Sequence, residues 1–456
     1  MDTVTLSRIQ FALTVGYHYL FVPLSLGLAF IVMMTERRYY KTGLEVDKAA
    51  SSFWVRLFTT TFAIGVATGI TMEFAFGTNW ANYSRFVGDI FGAPLAAEGL
   101  FAFFLESTFL GVLLFGRNRV SRKFYYVSTW LVFIGSHLSA LWIIIANSWQ
   151  QTPAGFKVEN GRAVLTDFFA AALNPSTLPR YTHVVIATWV AGGFVAAGIA
   201  AYYLLKGRHV DFARRAVGGG LALALAASLA MPLVGHWHGV QVAQTQPAKM
   251  AAFEGLFKTQ SGAPMSLLGW VDEKSQTVRG VAVPDLLSLL LYGSPRAQVT
   301  GLDQFAPSDR PPLQLTFQSY HLMVLLGLYF IILAGTGLYL LRRGKLESSK
   351  GFLKVLVYSI PLPVVASQLG WMAAEVGRQP WIVYGQLRTV DAVSAVVPAG
   401  HVAISLAMFT ALYALLFVGW LRIVLGIVRR GPAAAADTAG NLPATDATGQ
   451  IAQMAD

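Results

Sequence analysis

Residues 10–34 read QFALTVGYHYLFVPLSLGLAFIVMM, and Thr35-Glu36-Arg37-Arg38 follow at once. This run holds no Asp, Glu, Lys or Arg, only His18 among the readily charged residues, and exceeds the ~20 apolar residues a helix needs to cross a bilayer. It is too long for the apolar centre of a cleavable signal, and Met1 to Gln10 before it is short and polar. The pattern recurs at approximately 53–77, 93–116, 124–147, 182–205, 217–235, 316–341, 352–374 and 400–428. These stretches predict an all-α integral membrane protein of about nine transmembrane helices. The sixth is short. The eighth carries Pro361 and Pro363, which membrane helices tolerate where neighbours satisfy the freed carbonyls.

Composition agrees. Of 456 residues 55% are hydrophobic and 12% charged, where a soluble domain carries about 25% charged. Cysteine is absent, which excludes disulfides, thiolate ligands, iron–sulfur clusters and covalently attached c-type haem. The net charge of +11 does not call for nucleic acid, because the basic residues cluster at one side. Arg37, Arg38, Lys41 and Lys48; Arg117, Arg119, Arg122 and Lys123; Lys206, Arg208, Arg214 and Arg215; and Arg342, Arg343, Lys345, Lys350 and Lys354 form four dense clusters in or beside odd-numbered loops. That bias predicts an N-terminus outside and a C-terminus inside, with the charge facing anionic inner-leaflet lipid.

The chain then divides into residues 1–238 (helices 1–6), an outer loop over 239–315, residues 316–430 (helices 7–9) and a tail over 431–456. The long loop is too polar to span and long enough to be functional. A shorter outer loop covers 148–181. The tail is rich in Ala, Thr and Asp, a composition that predicts disorder. No internal repeat marks an inverted-repeat transporter.

Ionisable groups inside spans are costly and are functional candidates by default. Most here share one depth, the outer half: His18, Glu73, Glu98, His183, His236, His238 and Glu375, with Met323 early in helix 7 and Glu106 deeper in helix 3. Histidine with methionine makes a six-coordinate, low-spin haem iron, whereas a lone His or a carboxylate leaves a position open for oxygen. Singly, each residue has an ordinary reading. An intramembrane His more often packs, a Met is more often core, and a Glu serves equally well in a proton path, an ion site or a helix contact. His137, His209 and His401 keep that ordinary reading.

The motifs are more specific. They are Arg8-Ile9-Gln10-Phe11-Ala12 with His18-Tyr19-Leu20-Phe21-Val22-Pro23; Thr78-Asn79-Trp80; Glu98-Gly99-Leu100-Phe101-Ala102-Phe103-Phe104-Leu105-Glu106-Ser107; Ser139-Ala140-Leu141-Trp142; Gln246-Pro247-Ala248-Lys249-Met250 with Glu254; and Trp371 to Trp381, with Glu375 ahead of Gly377-Arg378-Gln379-Pro380-Trp381. From Ser7 to about Arg430 the sequence closely resembles the larger, haem-bearing subunit of cytochrome bd-type quinol oxidases.

The resemblance implies a terminal oxidase of the bacterial cytoplasmic (inner) membrane. It would pass electrons from membrane quinol through three haems to oxygen, forming water and contributing to the proton gradient. It implies His183 and Met323 as axial ligands of low-spin haem b, and His18 and Glu375 as ligands of two high-spin haems with Glu98 nearby. Two haems would be b and the third d or b. It implies Lys249 and Glu254 as the quinol-binding pair, Glu106 and Ser107 as a proton path, and Trp371 and Arg378 as packing on haem or pairing with its propionates. A second, haem-free membrane subunit is implied, with or without a small single-span one.

Two departures stand out. Many relatives carry Arg where this chain has His321, and the stretch from Glu254 to Met323 is short, as in the class that includes cyanide-insensitive oxidases. Two other readings compete. A secondary transporter would leave His183 and Met323 without roles, and a haem b electron-transfer subunit without oxygen chemistry would hold low-spin haem only.

Overall fold

In the computed structural model, which describes residues 1–432, the apolar runs become helices longer than themselves. Among the described residues nine helices are long and apolar enough to cross a membrane: Thr3–Thr42, Glu45–Asn79, Ala81–Phe115, Arg122–Gln151, Thr177–Lys206, Val210–Thr245, Leu313–Arg342, Lys350–Val376 and Ala399–Arg430. They are called spans 1 to 9. The expected tail lies almost wholly outside the described residues.

Three spans depart from a plain helix. Span 6 was expected to end near 235, yet it runs 36 residues to Thr245, about 50 Å, with Pro232 inside it. His236-Trp237-His238-Gly239 lowers the hydropathy without breaking the helix, so its last turns rise beyond the ~30 Å hydrocarbon layer. Span 8 breaks between Tyr358 and Leu362 at Pro361, which has no N–H to give its own helix. Ser359 caps the break by donating to Val355 O at 2.7 Å. Span 3 widens into one π-helical turn over Glu98–Phe103. Such single turns are frequent at functional sites.

Lipid tails are as apolar as leucine, so helices in a bilayer associate through close packing of small residues. Gly27 of span 1 and Gly192 of span 5 meet backbone to backbone; a Cβ on Gly192 would lie 2.4 Å from Gly27 O. Gly193 of span 5 meets Gly220 of span 6 in the same way. Span 5 is therefore the most enclosed of the nine, while spans 3 and 9 are exposed along most of their length.

The long loop is a folded cap. It holds a helix, Pro247–Glu254, a hairpin pairing Met265–Asp272 with Thr277–Val283, and a short helix, Leu286–Tyr292. Met250, Phe253, Leu256, Val271, Leu287, Leu302 and Phe317 form its own apolar core, which seats it on spans 6 and 7. The shorter loop carries a hairpin, Phe156–Glu159 with Arg162–Leu165.

Candidate functional site

The last turn of span 8 projects Glu375 into a buried run of polar groups. Its Oε1 accepts from Asn147 Nδ2 and Gln151 Nε2, each at 3.1 Å. Those two amides sit four residues apart on span 4 and so share a face. Arg180 Nη2, at the start of span 5, lies 3.5 Å from the same oxygen. Oε2 accepts from Arg378 Nη2 at 2.5 Å. Arg378 also donates from Nη1 to Gln150 Oε1 at 2.7 Å, and its Nε is buried without a partner.

The run continues into the cap. Lys249 Nζ donates to Gln151 Oε1 at 2.5 Å, and Gln246 Nε2 to Gln151 O at 2.8 Å. Lys249 is buried, and desolvation, helped by the Arg180 charge, pushes its amine well below the usual lysine range. Two guanidiniums, of Arg180 and Arg378, thus share one carboxylate, with the Lys249 amine linked to it through Gln151. A buried charge persists only when it is paired, so the surplus positive charge favours a further anion here.

Glu254 closes the same short helix but does not pair with Lys249. Five residues at ~100° each put the two side chains about 140° apart. Glu254 Oε2 accepts from Ser266 N at 2.9 Å, and Ser266 Oγ donates to Glu254 O at 3.0 Å. Burial pushes the Glu254 carboxyl up to about 8, against the opposing pull of the Ser266 N–H. His321 stands on the other side of Ser266, its Nε2 2.8 Å from Ser266 O and its Nδ1 2.9 Å from Phe317 O. It ties the hairpin that holds Glu254 to span 7, two residues before Met323.

The histidines divide by what their nitrogens meet. Thr68 Oγ1 gives its proton to Ile64 O or Gly65 O, so it can only accept from His18 Nδ1, 3.0 Å away. That fixes the Nδ1–H tautomer and leaves Nε2 with a bare lone pair, the arrangement typical of a metal-ligating histidine. His183 lies beside His238, ring centroids 5.6 Å apart, and its Nδ1 is buried without a partner. His137, by contrast, is fully engaged: Nδ1 faces Phe133 O at 2.8 Å, and Nε2 accepts from Trp189 Nε1 at 3.2 Å. Met323 reaches span 8, where a Cβ on Gly370 would lie 2.8 Å from its Sδ. Trp371 follows Gly370, one turn before Glu375.

On span 3, Glu98 opens the π turn and accepts from Ser139 Oγ at 2.8 Å. Glu106 is buried, with Oε1 unpartnered and Gly135 of span 4 against it; a Cβ there would meet Glu106 Cγ at 2.7 Å. Ser107 is not brought beside it. It lies on the exposed face and donates to Phe103 O at 2.8 Å. Sequence reading passed over Asn147, Gln150, Gln151, Arg180 and Thr68. The amide-rich end of span 4, Asn147-Ser148-Trp149-Gln150-Gln151, and an Arg one helical turn before His183 were the available signals.

Residues 6–432 match the family described as cytochrome bd terminal oxidase subunit I. The chain belongs to that family. It is 40% identical over 428 residues to the cytochrome bd ubiquinol oxidase subunit 1 of Bacillus subtilis, covering 91% of each chain. It is 36% identical over 502 residues to the cytochrome bd-II ubiquinol oxidase subunit 1 of Escherichia coli, covering 95% of this chain and 98% of that one. The structure superimposes on the bd oxidase of Geobacillus thermodenitrificans with a TM-score of 0.89 at 32% identity, covering 94% of this chain and 99% of the other.

Family membership implies haem, and the residues present fit it. His18 Nε2 and His183 offer nitrogens that no side chain claims. Glu375 Oε1 is taken up by Asn147, Gln151 and Arg180, while Oε2 meets Arg378 alone and keeps a lone pair for iron. Arg180, Arg378 and Lys249 supply the charge that propionate carboxylates require.

Proposed function

We propose that this chain oxidises membrane quinol at its cap and delivers the electrons to oxygen, as the larger subunit of a terminal quinol oxidase. The observation that carries this reading is the unbroken buried run from Lys249 through Gln151 to Glu375 and Arg378. It joins a cap side chain suited to quinol with a carboxylate suited to iron. The cap faces outside, because the basic clusters lie at the opposite end of the spans. The membrane is the bacterial inner membrane, and a second subunit covers the exposed faces of spans 3 and 9.

Lys249 holds one N–H on Gln151 and keeps its others for a quinol oxygen. Glu254, whose carboxyl burial pushes up to about 8, accepts a quinol proton in its ionised form and passes it outward. His183 and Met323 hold a low-spin haem b, His18 and Glu375 hold two high-spin haems, and Glu98 stands near them. Bound haem supplies electron transfer and the reduction of oxygen to water. Two haems are b and the third is d or b. Trp371 packs against this group, and Arg378 with Arg180 pairs with its carboxylates. Glu106 lies about 15 Å from the inner end of span 3 by its rise, at mid-depth, and hands inward-side protons toward Glu98. Ser139 bonds Glu98 and lines the same route.

The test is oxygen consumption by the purified complex with a short-chain quinol. Quinol-dependent uptake forming water is the expected result, and haem reduction without oxygen uptake would leave a haem b electron-transfer subunit instead.

A further inference from the structure

Gln151 is the last residue of span 4 and is 1% exposed. Neither end of its amide is spare. Oε1 accepts from Lys249 Nζ at 2.5 Å, and Nε2 donates to Glu375 Oε1 at 3.1 Å. Its orientation is forced by its neighbours: turned over, the NH2 would face a donor and the carbonyl would face a carboxylate. Its main-chain oxygen accepts from Gln246 Nε2, so the cap also grips the backbone there. Among the described residues Gln151 is the one acceptor that Lys249 Nζ meets. Asn147, a turn earlier, reaches only Glu375 and Arg180.

We propose that Gln151 is a positioning residue that couples the quinol-binding Lys249 to Glu375, the carboxylate that holds a high-spin haem. The proposal rests on the reading of those two residues given above. At one end the amide pins one Lys249 N–H and so aims the remaining hydrogens at a quinol oxygen. At the other end it supplies one of the donors that fix Glu375 Oε1. The two ends are not independent, because an amide whose oxygen accepts a hydrogen bond becomes a stronger N–H donor. A quinol oxygen that draws on Nζ weakens the bond to Gln151 Oε1, and Glu375 then receives a weaker donor. Occupancy of the quinol site is thereby felt at the haem-bearing acid through one side chain.

Three variants of the purified complex test this: Gln151→Met, Gln151→Glu and, as reference, Lys249→Gln. Methionine keeps the length and removes both hydrogen bonds. Glutamate keeps an acceptor for Lys249 but sets a second carboxylate against Glu375. The readouts are KM for a short-chain quinol, turnover with an artificial donor, and the high-spin absorption bands with and without the matching short-chain quinone. Gln151→Met should raise the quinol KM about tenfold, the scale of one lost hydrogen bond to a charged group. It should also abolish the band shift that the quinone induces in the wild-type complex. Gln151→Glu should hold KM within about threefold and displace the high-spin bands with no quinone added.

Wild-type KM and a retained quinone shift in Gln151→Met would overturn the coupling, as would a wild-type complex whose high-spin bands ignore quinone. If Gln151→Met does not assemble, Gln151→Glu decides, and high-spin bands identical to wild type overturn it. A quinol KM unchanged in Lys249→Gln would instead remove the quinol site itself, a failure distinct from that of Gln151.

Discussion

Both ends of the bundle bury acids among arginines, but the balance of charge differs. At the basic end Asp47 accepts from Arg38 at 3.0 Å and Arg215 at 3.3 Å, and both arginines are about half exposed. Glu36 is fully buried and pairs with Arg117 at 2.6 Å, whose guanidinium lies over the Tyr125 ring at 3.9 Å. Surplus charge at Asp47 lies on side chains open to solvent. At the cap end Arg180 and Arg378 share Glu375, with Lys249 one amide away through Gln151, and none of the three is more than 11% exposed. Charge that is matched, as at Glu36, or exposed to solvent, as at Asp47, holds spans together, whereas unmatched buried charge is a candidate place for a guest.

The largest expected effect comes from removing the carboxylate that Arg180 and Arg378 share. Glu375→Ala leaves two buried guanidiniums without their acid, a loss of about 3–5 kcal/mol, and should yield complex that lacks a high-spin haem or fails to assemble. Thermal unfolding and haem content measure it, and wild-type values for both would show the cations to be compensated otherwise. Next, Lys249→Gln and Glu254→Ala should each reduce quinol oxidation about a hundredfold, the scale of a lost charged hydrogen bond in a buried site. Oxygen uptake with an artificial donor should persist. Equal loss of both activities would point to misassembly.

A pH effect follows from Glu254. Its carboxyl, ordinarily near 4.5, titrates at about 8 in the folded chain, so the neutral form predominates below that pH. Quinol oxidation should rise as pH passes through about 8 and the carboxylate becomes able to take a proton. Folding stability from this group has the opposite sign: it is fully present below about 4.5 and is lost as pH rises to 8. The residual activity of Glu254→Gln should lack this rise; a persisting rise would assign it to another group. The smallest effect belongs to the basic end, where Arg38→Ala removes a half-exposed partner and should cost under about 1 kcal/mol with activity unchanged.

Much of this was legible in the sequence, for reasons specific to a membrane. With no water to bond the backbone, an apolar run of 20 residues has one economical conformation, and all nine helices follow from that. The extent of span 6 was not legible, because hydropathy falls at His236 while hydrogen bonding along the helix does not. Lys249, Glu254, His18 and Glu375 stood out as polar groups in a costly setting or in motifs. Gln151, Asn147 and Thr68 did not. Amides and hydroxyls are common at helix ends, and only the three-dimensional meeting of spans 4, 5 and 8 gives them partners. Ser107 shows the converse limit: adjacent in sequence to Glu106, it turns to a different face of span 3.

The absorption spectrum of the purified complex, oxidised and then reduced, in wild type and in Met323→Leu, decides whether this chain holds both low-spin and high-spin haem. That substitution removes a thioether at nearly constant volume, a change packing tolerates at under about 1.5 kcal/mol. Low-spin and high-spin bands are expected together in wild type, and Met323→Leu should lose the low-spin bands selectively with the high-spin bands retained. A wild-type spectrum without high-spin haem, or a low-spin spectrum unchanged by Met323→Leu, would contradict this expectation.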